Sequence, residues 1–298
     1  MKIIPSTLSV SLLCVGLIAG ILGCASPRSG SAPKKVLVVT TTTGFRHSSI
    51  PTAERIIAQL GQQSAAFTVE YARVEPNDPQ FKGPDGKPDT GKVNEAIKQV
   101  LAEKMNPAAL KTYDAVIFAN TTGDLPLPDN AAFIDWVKAG GGFVGMHAAS
   151  DTFHHFAPYL DMIGAEFKKH EAQVEVDPIN QDTECPACRH LPAAWKVFDE
   201  IYQFQNFDRA KVHGLLTLDK HPNNKTPGDY PISWCKIYGK GRVFYTSLGH
   251  REDVWDPEAT DRKNPKEVAE AYQKHILEAI KWAVGLEKWN ATPQKAGQ

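Results

Sequence analysis

The chain has 298 residues, with 33 Lys or Arg against 34 Asp or Glu, a net charge of −1 and a pI near 6.8. So even a balance excludes the basic footprint of a nucleic-acid binder. Beyond the first two dozen residues no apolar run approaches the roughly 18 needed to span a bilayer.

The N-terminal stretch "MKIIPSTLSVSLLCVGLIAGILGCAS" has one early cation, Lys2, then an apolar run broken by small residues. It predicts a signal peptide over 1–23, because the run is too short to span and closes on small residues. The ending Ile21-Leu22-Gly23-Cys24 resembles a bacterial lipobox, whose Cys24 becomes the lipidated first residue. An ordinary signal peptide with Cys24 incidental is the alternative. Several acyl chains on one cysteine anchor stably where a single chain does not. The expected location is therefore an exported, membrane-anchored lipoprotein facing the periplasm or cell surface. In a Gram-negative cell Ala25 after the cysteine favours the outer membrane. Residues 24–34 read as a flexible Ser/Pro/Gly tether.

"KVLVVTTTTGF" (35–45) is the continuous β-branched run of a strand covered on both faces. A helix follows from Pro51, then a strand over 66–74. Residues 75–92, rich in Pro, Gly and Asp, read as a surface insertion, structureless or hairpin-like. A helix over "VNEAIKQVLAEKM", a buried strand over 113–120, an amphipathic helix over "DNAAFIDWVKAGG" and the strand "GFVGMHA" complete four alternations. That rhythm predicts a doubly wound, mostly parallel sheet with right-handed crossovers. The second half changes to shorter strands, some antiparallel: "AQVEVDP", "IYQFQNF", "HGLLTLD" and "ISWCKIYGKGRVFYTSLGH", the last holding a hairpin turn at "YGKGR". A long amphipathic helix over 264–285 closes one domain spanning 35–288, leaving 289–298 as a tail.

Three cysteines lie in the mature domain besides Cys24: Cys185, Cys188 and Cys235. In an exported protein "CPAC" reads as a local Cys185–Cys188 disulfide. A redox motif would need it at a helix start after a strand, and a haem site would need His where Arg189 stands. Two cysteines do not make a zinc knuckle, although His190 keeps that alternative in view. Cys235 sits inside a strand, as a small buried hydrophobe.

Six blocks, "VLVVTTTTGFRHSSI", "YDAVIFANTTGD", "GGGFVGMHAASDTF", "GAEFKKH", "DEIYQF" and "RVFYTSLGHREDVW", occur in the order found in ThuA-like (trehalose utilisation) proteins. The chain resembles that family over roughly 35–286. The resemblance implies a flavodoxin-like α/β sheet like that of class I glutamine amidotransferases, with extra antiparallel strands in the second half. In those enzymes the elbow after a central strand reads Gly-x-Cys-x-Gly, and a later His-x-Glu completes a triad. Here the elbow is Gly145-Met146-His147-Ala148-Ala149, followed later by His250-Arg251-Glu252. With no thiol at the elbow there is no acyl-enzyme route from glutamine.

Open parallel sheets bind ligands at the carboxyl ends of their strands. His47, His147 and His250 each follow a strand, so the topology brings them to one sheet edge. With Glu252 they are the candidate catalytic residues. Convergent neutral imidazoles with a carboxylate suit a divalent metal, Zn²⁺ or a similar ion, held by His47, His147 and His250. Glu200 and Glu252 are the candidate carboxylates. A metal-free alternative pairs His147 with His250 as acid and base, Glu252 fixing the tautomer. Candidate substrate contacts are Arg46, Asp151, Thr152, His170, Glu200, Tyr202 and Trp255. Each has a plainer alternative: a surface salt bridge for Arg46, an N-cap for Asp151 and Thr152, core packing for Tyr202, Phe204 and Trp255. Trp234 is assigned to the core. His154 and His155 are placed on the rim, and His190, His213, His221 and His275 in solvent.

The resemblance implies sugar catabolism, with oxidised (3-keto) glycosides as substrates whose proton beside the carbonyl is acidified. The expected function is an exported lipoprotein that acts on a carbohydrate as lyase, hydrolase or isomerase. A non-catalytic carbohydrate-binding lipoprotein and a scaffold protein are the alternatives.

Overall fold

The structure is a computed structural model that describes Met1, residues 32–193 and residues 195–294. The signal peptide, Cys24 and most of the tether lie outside the described residues. Eight strands form the central sheet: β1 (Lys34–Val39), β2 (Phe67–Ala72), β3 (Ala115–Ala119), β4 (Gly142–Met146), β7 (Ile179–Asn180), β10 (His213–Lys220), β11 (Pro227–Tyr238) and β12 (Gly241–Thr246). Their order is β2-β1-β3-β4-β12-β11-β10-β7. The first five run parallel and the last three are antiparallel additions.

Alternation along β1 shows why its sequence is apolar throughout. Val36 and Val38 face α1 (Ile50–Ser64) and α7 (Lys266–Ala283), packing with Ile56, Ile57, Leu60, Ile276 and Ile280. Leu37 and Val39 face the opposite layer of α2 (Thr90–Lys104), α4 (Asn130–Lys138) and α5 (Ala157–Ile163), meeting Ile97, Leu101, Phe133 and Met162. Both faces are covered, so both alternating sets must be hydrophobic. The expected α/β class with a mostly parallel sheet and antiparallel additions is the observed one.

Helix starts follow local chemistry. Asp89 and Asp129 cap α2 and α4 by accepting from the amides of Lys92 and Ala132, satisfying donors a helix start leaves orphaned. The 75–92 insertion is hairpin-like, closed by a Lys82–Pro88 bridge after a 3-10 turn at Pro79–Phe81. A short helix, α3 (Pro107–Leu110), precedes β3. The Gly239-Lys240 turn joins β11 to β12, with Gly239 at φ +64°.

Two small sheets stand apart from the main one: β5 (Glu166–Lys169) with β9 (Gln203–Gln205), and β6 (Val174–Val176) with β8 (Val197–Asp199). They belong to the insertion between β4 and β10, and the loop between β8 and β9 carries Glu200 and Tyr202. A last short helix, α6 (Glu252–Trp255), follows β12. Residues 289–294 pack back on the domain. Trp289 stacks on Trp282 at 4.7 Å, and Thr292 and Gln294 bond His213 and Gly214.

Several sequence expectations need correction here. Cys185 and Cys188 are free thiols, both buried. They occupy one tight turn, with the Cys188 amide donating to the Cys185 carbonyl at 2.9 Å. The turn is sunk in the apolar cluster with Trp195 and Ile276. The hydrogen bond to Cys185, reinforced by burial, pushes the Cys188 thiol well up. His213, His221 and His275 are buried rather than solvated. Each is held by polar partners, as buried imidazoles require. His213 bonds Asp182, His221 accepts from the amides of Asn223 and Asn224, and His275 donates to the Ala187 carbonyl. His190 is half-buried against the Ala271 carbonyl.

Candidate functional site

At the carboxyl edge of the sheet β1, β3, β4 and β12 end side by side, and their loops deliver the site. His47 comes from the loop after β1, Asn120 is the first residue after β3, His147 is the first residue after β4, and His250 follows β12. The insertion adds Glu200 from above. One ligand atom from each of His47, His147, Glu200 and His250 lies within 4.8 Å of every other.

The elbow imposes an unusual backbone on its histidine. His147 has φ +46°, the left-handed region, at a cost of about 1–3 kcal/mol for a non-glycine residue. Its carbonyl accepts from the Tyr245 hydroxyl at 2.7 Å, and its Nδ1 donates to the Ser247 carbonyl at 2.7 Å. Buried hydrogen bonds contribute about 1 kcal/mol each, so these two are of the size needed to hold the strained turn. Gly145 gives the turn room: a Cβ there would press on Tyr245 and Ala149 at 3.1–3.2 Å.

With Nδ1 committed to Ser247, Nε2 of His147 carries the lone pair. It points to Glu200 Oε1 at 3.7 Å and has no hydrogen-bond partner among the described residues. His47 Nδ1 and His250 Nδ1 are buried and likewise without a hydrogen bond. His250 Nδ1 stands 3.4 Å from Glu200 Oε1. Three orphaned imidazole nitrogens converging on one carboxylate would be costly unless something else binds there. Burial, then the neighbouring His250, pushes His47 down to about 4. Burial, then His170 and Arg251, pushes His250 to about 4, and burial with His47 and His250 holds His147 well below the usual range. All three are therefore neutral at pH 7. Burial lifts the Glu200 carboxyl, and His170, whose Nδ1 lies 3.0 Å from Glu200 Oε2, partly offsets this. Three neutral imidazoles and a carboxylate are a donor set suited to a Zn²⁺-like cation.

The loop carrying His250 is held from both sides. Asp199, fully buried, accepts from the amides of Gly249 at 2.7 Å and Arg251 at 3.1 Å. The Gly249 carbonyl accepts from Ser49, Asn120 and Trp255 at 2.8–3.2 Å. Burial raises Asp199 to about 7, against the pull of its backbone bonds. Tyr202 is buried and lays its ring 4.2 Å from His147 and 4.3 Å from Phe167.

Some sequence candidates fall outside this arrangement. Glu252 opens α6, is exposed, and forms no hydrogen bond with the histidines; Glu200 fills the position expected of it. Arg46 turns away to Glu75 at 2.9 Å and the Thr40 carbonyl, the salt-bridge alternative. Thr152 is fully buried and gives its hydroxyl to backbone carbonyls of Thr121 and Ala148. Asp151 is half-buried, its carboxylate bonded to His154 Nε2 at 2.7 Å. Trp255 is core, its indole supporting Gly249. Phe204 packs on Trp234 and Tyr245. His170 is drawn to the site edge, half-exposed.

Asp199, Asn120 and Ser247 are contributors that sequence reading passed over. Asp199 adjoins Glu200 in "FDEIY" and carried a usable signal, an acidic residue beside a predicted ligand. Ser247 acts through its carbonyl, which no sequence pattern reveals.

The fold is shared with proteins of known structure and of one family. The ThuA family model, described as trehalose utilisation, matches residues 35–283. The chain belongs to this ThuA family. A ThuA-like protein from Parabacteroides merdae superposes with TM-score 0.61 at 18% identity, over 89% of this chain and 93% of that one. A ThuA-like protein from Bacteroides uniformis gives 0.58 at 20%, over 87% and 95%. These likenesses show the shared fold. No curated protein matches the sequence.

Proposed function

We propose that the chain is an enzyme of carbohydrate catabolism that acts on a sugar or 3-keto glycoside at the His47–His147–Glu200–His250 cluster, with a divalent cation as cofactor. One observation carries the reading: the ring nitrogens of the three histidines that face the cluster are orphaned, buried and neutral. A general acid must hold a proton near the working pH, and imidazoles depressed to about 4 do not. That argues against these rings as general acids and leaves their lone pairs available for ligation. A bound cation supplies Lewis acidity toward a carbonyl oxygen. Glu200 would complete the donor set through the Oε1 that faces His147 and His250. His170, half-exposed and 3.0 Å from the other Glu200 oxygen, holds that carboxylate in place. Tyr202 keeps the His147 side dry.

The location proposed with it is an exported lipoprotein anchored through Cys24. The leader sequence supports this, and a Cys24→Ser protein should move from the membrane to the soluble fraction.

The test is turnover of methyl glucoside and its 3-keto form by purified protein, before and after chelation and after Zn²⁺ is restored. Activity that survives both chelation and His147→Asn would overturn the reading.

A further inference from the structure

We propose that Phe45 is a specificity-determining platform for one face of a pyranose ring, with a neighbouring polar cleft that takes the hydroxyls; this rests on the proposed carbohydrate function. Phe45 is 67% exposed, a large apolar side chain left in solvent. A single exposed aromatic needs no explanation in itself. Its placement is the argument. The ring lies 4.9 Å from the His47 ring, edge to face, at the rim of the cluster.

The backbone beneath it is fixed. The Phe45 carbonyl accepts from the Thr122 and Thr42 hydroxyls at 2.8 and 3.3 Å. The Thr43 and Gly44 amides bond the Thr122 carbonyl, and a Cβ on Gly44 would collide with Thr122 at 2.8 Å. The loop after β1 is thus clamped to the loop after β3 while the aromatic ring stays free. A clamped backbone under an unburied ring is the arrangement of a contact surface: little order is lost when a ligand lands.

His250, whose ring lies 5.3 Å from that of His47, also lines a small polar cleft of about 140 Å³ with Ser48, Gln173, Arg251, Glu252 and Asp261. Sugar rings present apolar C–H faces and polar edges, which an aromatic face and a hydroxyl-binding cleft complement. This gives Glu252 a role at the cleft in place of the one expected beside His250.

The experiment compares wild type, Phe45→Ala, Phe45→Leu and Phe45→Trp with methyl 3-keto-glucoside and methyl glucoside as probes, reading KM, kcat and, by calorimetry, binding. Phe45→Ala should raise KM or weaken binding about tenfold, the size of one aromatic contact. Its kcat should stay within about twofold, because Phe45 itself neither ligates the cation nor moves a proton. Phe45→Leu should behave like Ala and Phe45→Trp like wild type. Zn²⁺ affinity should be the same in all four proteins, which separates a lost platform from a damaged site. Unchanged KM and binding in Phe45→Ala would overturn the platform while leaving the proposed function standing. Wild-type binding without turnover would remove the enzymatic reading yet still test Phe45 through calorimetry. No binding of either sugar to wild type would overturn both.

Discussion

The ring of His147 donates through Nδ1 to the carbonyl of Ser247 at 2.7 Å, and that bond decides what its other nitrogen does. A carbonyl accepts only, so Nδ1 holds the proton and Nε2 presents a lone pair to the cluster. Partners of this kind, behind a ligand, set both tautomer and aim. β12 thus supplies His250 on its loop and, three residues earlier, the carbonyl that orients His147.

Replacing His147 by Asn tests the cluster without breaking the elbow. Asn tolerates the left-handed backbone that His147 adopts at φ +46°, so the variant should fold. Outer partners of metal ligands are worth 10–100-fold in affinity, and loss of a ligand should exceed about a hundredfold. Zn²⁺ competition calorimetry checks this. Wild-type affinity in His147→Asn would show that the cluster does not bind the cation.

The parallel half of the fold was legible in the sequence because β1, β3 and β4 are largely buried on both faces and β1, β2 and β3 are each followed by an amphipathic helix. His47, His147 and His250 could be placed for the same reason: each lies on the segment that leaves the carboxyl end of a strand. Glu252 misled because adjacency in sequence to His250 is not adjacency in space; the chain turns into α6 and carries the carboxylate outward. Glu200 reaches the site from an insertion whose two-stranded sheets have only three or four residues per strand. Strands could be read there, but not where the loop between β8 and β9 that carries Glu200 would fold. His275 and His213 were misplaced because a buried histidine is defined by distant partners, here Ala187 and Asp182.

Asp199 should matter through the loop it holds. Asp199→Ala leaves the amides of Gly249 and Arg251 without acceptors, at about 1–3 kcal/mol for each buried donor. A loss of about 2–4 kcal/mol by urea denaturation is expected, together with a 10–100-fold drop in Zn²⁺ affinity as His250 loosens. Asp199→Asn keeps one acceptor and should recover part of both. If Ala and Asn destabilise equally and neither alters cation affinity, Asp199 is not positioning His250.

Acid should weaken the fold partly through His275. Burial holds its folded value at about 4 against an ordinary 6.5, despite the Ala187 bond that pulls the other way and with His190 adding to the depression. Between these values the unfolded chain binds a proton that the folded chain refuses. The stability associated with neutral His275 is therefore fully present above pH 6.5 and lost as pH falls toward 4. His275→Gln should flatten the Tm profile over that window, leaving the slope from His47 and His250, also depressed to about 4. An equally steep profile in the variant would count against this account.

Gly249 is the position where one methyl group should do most damage. Its φ of +116° lies beyond the left-handed helical region that Asn or Asp can enter, and only glycine adopts it readily. A Cβ would also stand 2.9 Å from the Tyr272 hydroxyl and 3.0 Å from the Trp255 indole, both fully buried. Backbone strain costs about 1–3 kcal/mol, and overpacking a filled core a similar amount. Relief can come only by moving the 249–251 loop, since Trp255 and Tyr272 are fixed by bonds to Gly249 and Leu248. That motion displaces His250. Gly249→Ala should therefore lose both stability and Zn²⁺ affinity. Gly239→Ala makes the comparison, since it also has a positive φ, +64°, and crowds Lys138, but lies at the opposite end of β12. It should lose stability alone. If Gly249→Ala retained full cation affinity while its Tm fell, the loop geometry would not be what aims His250 at the cluster.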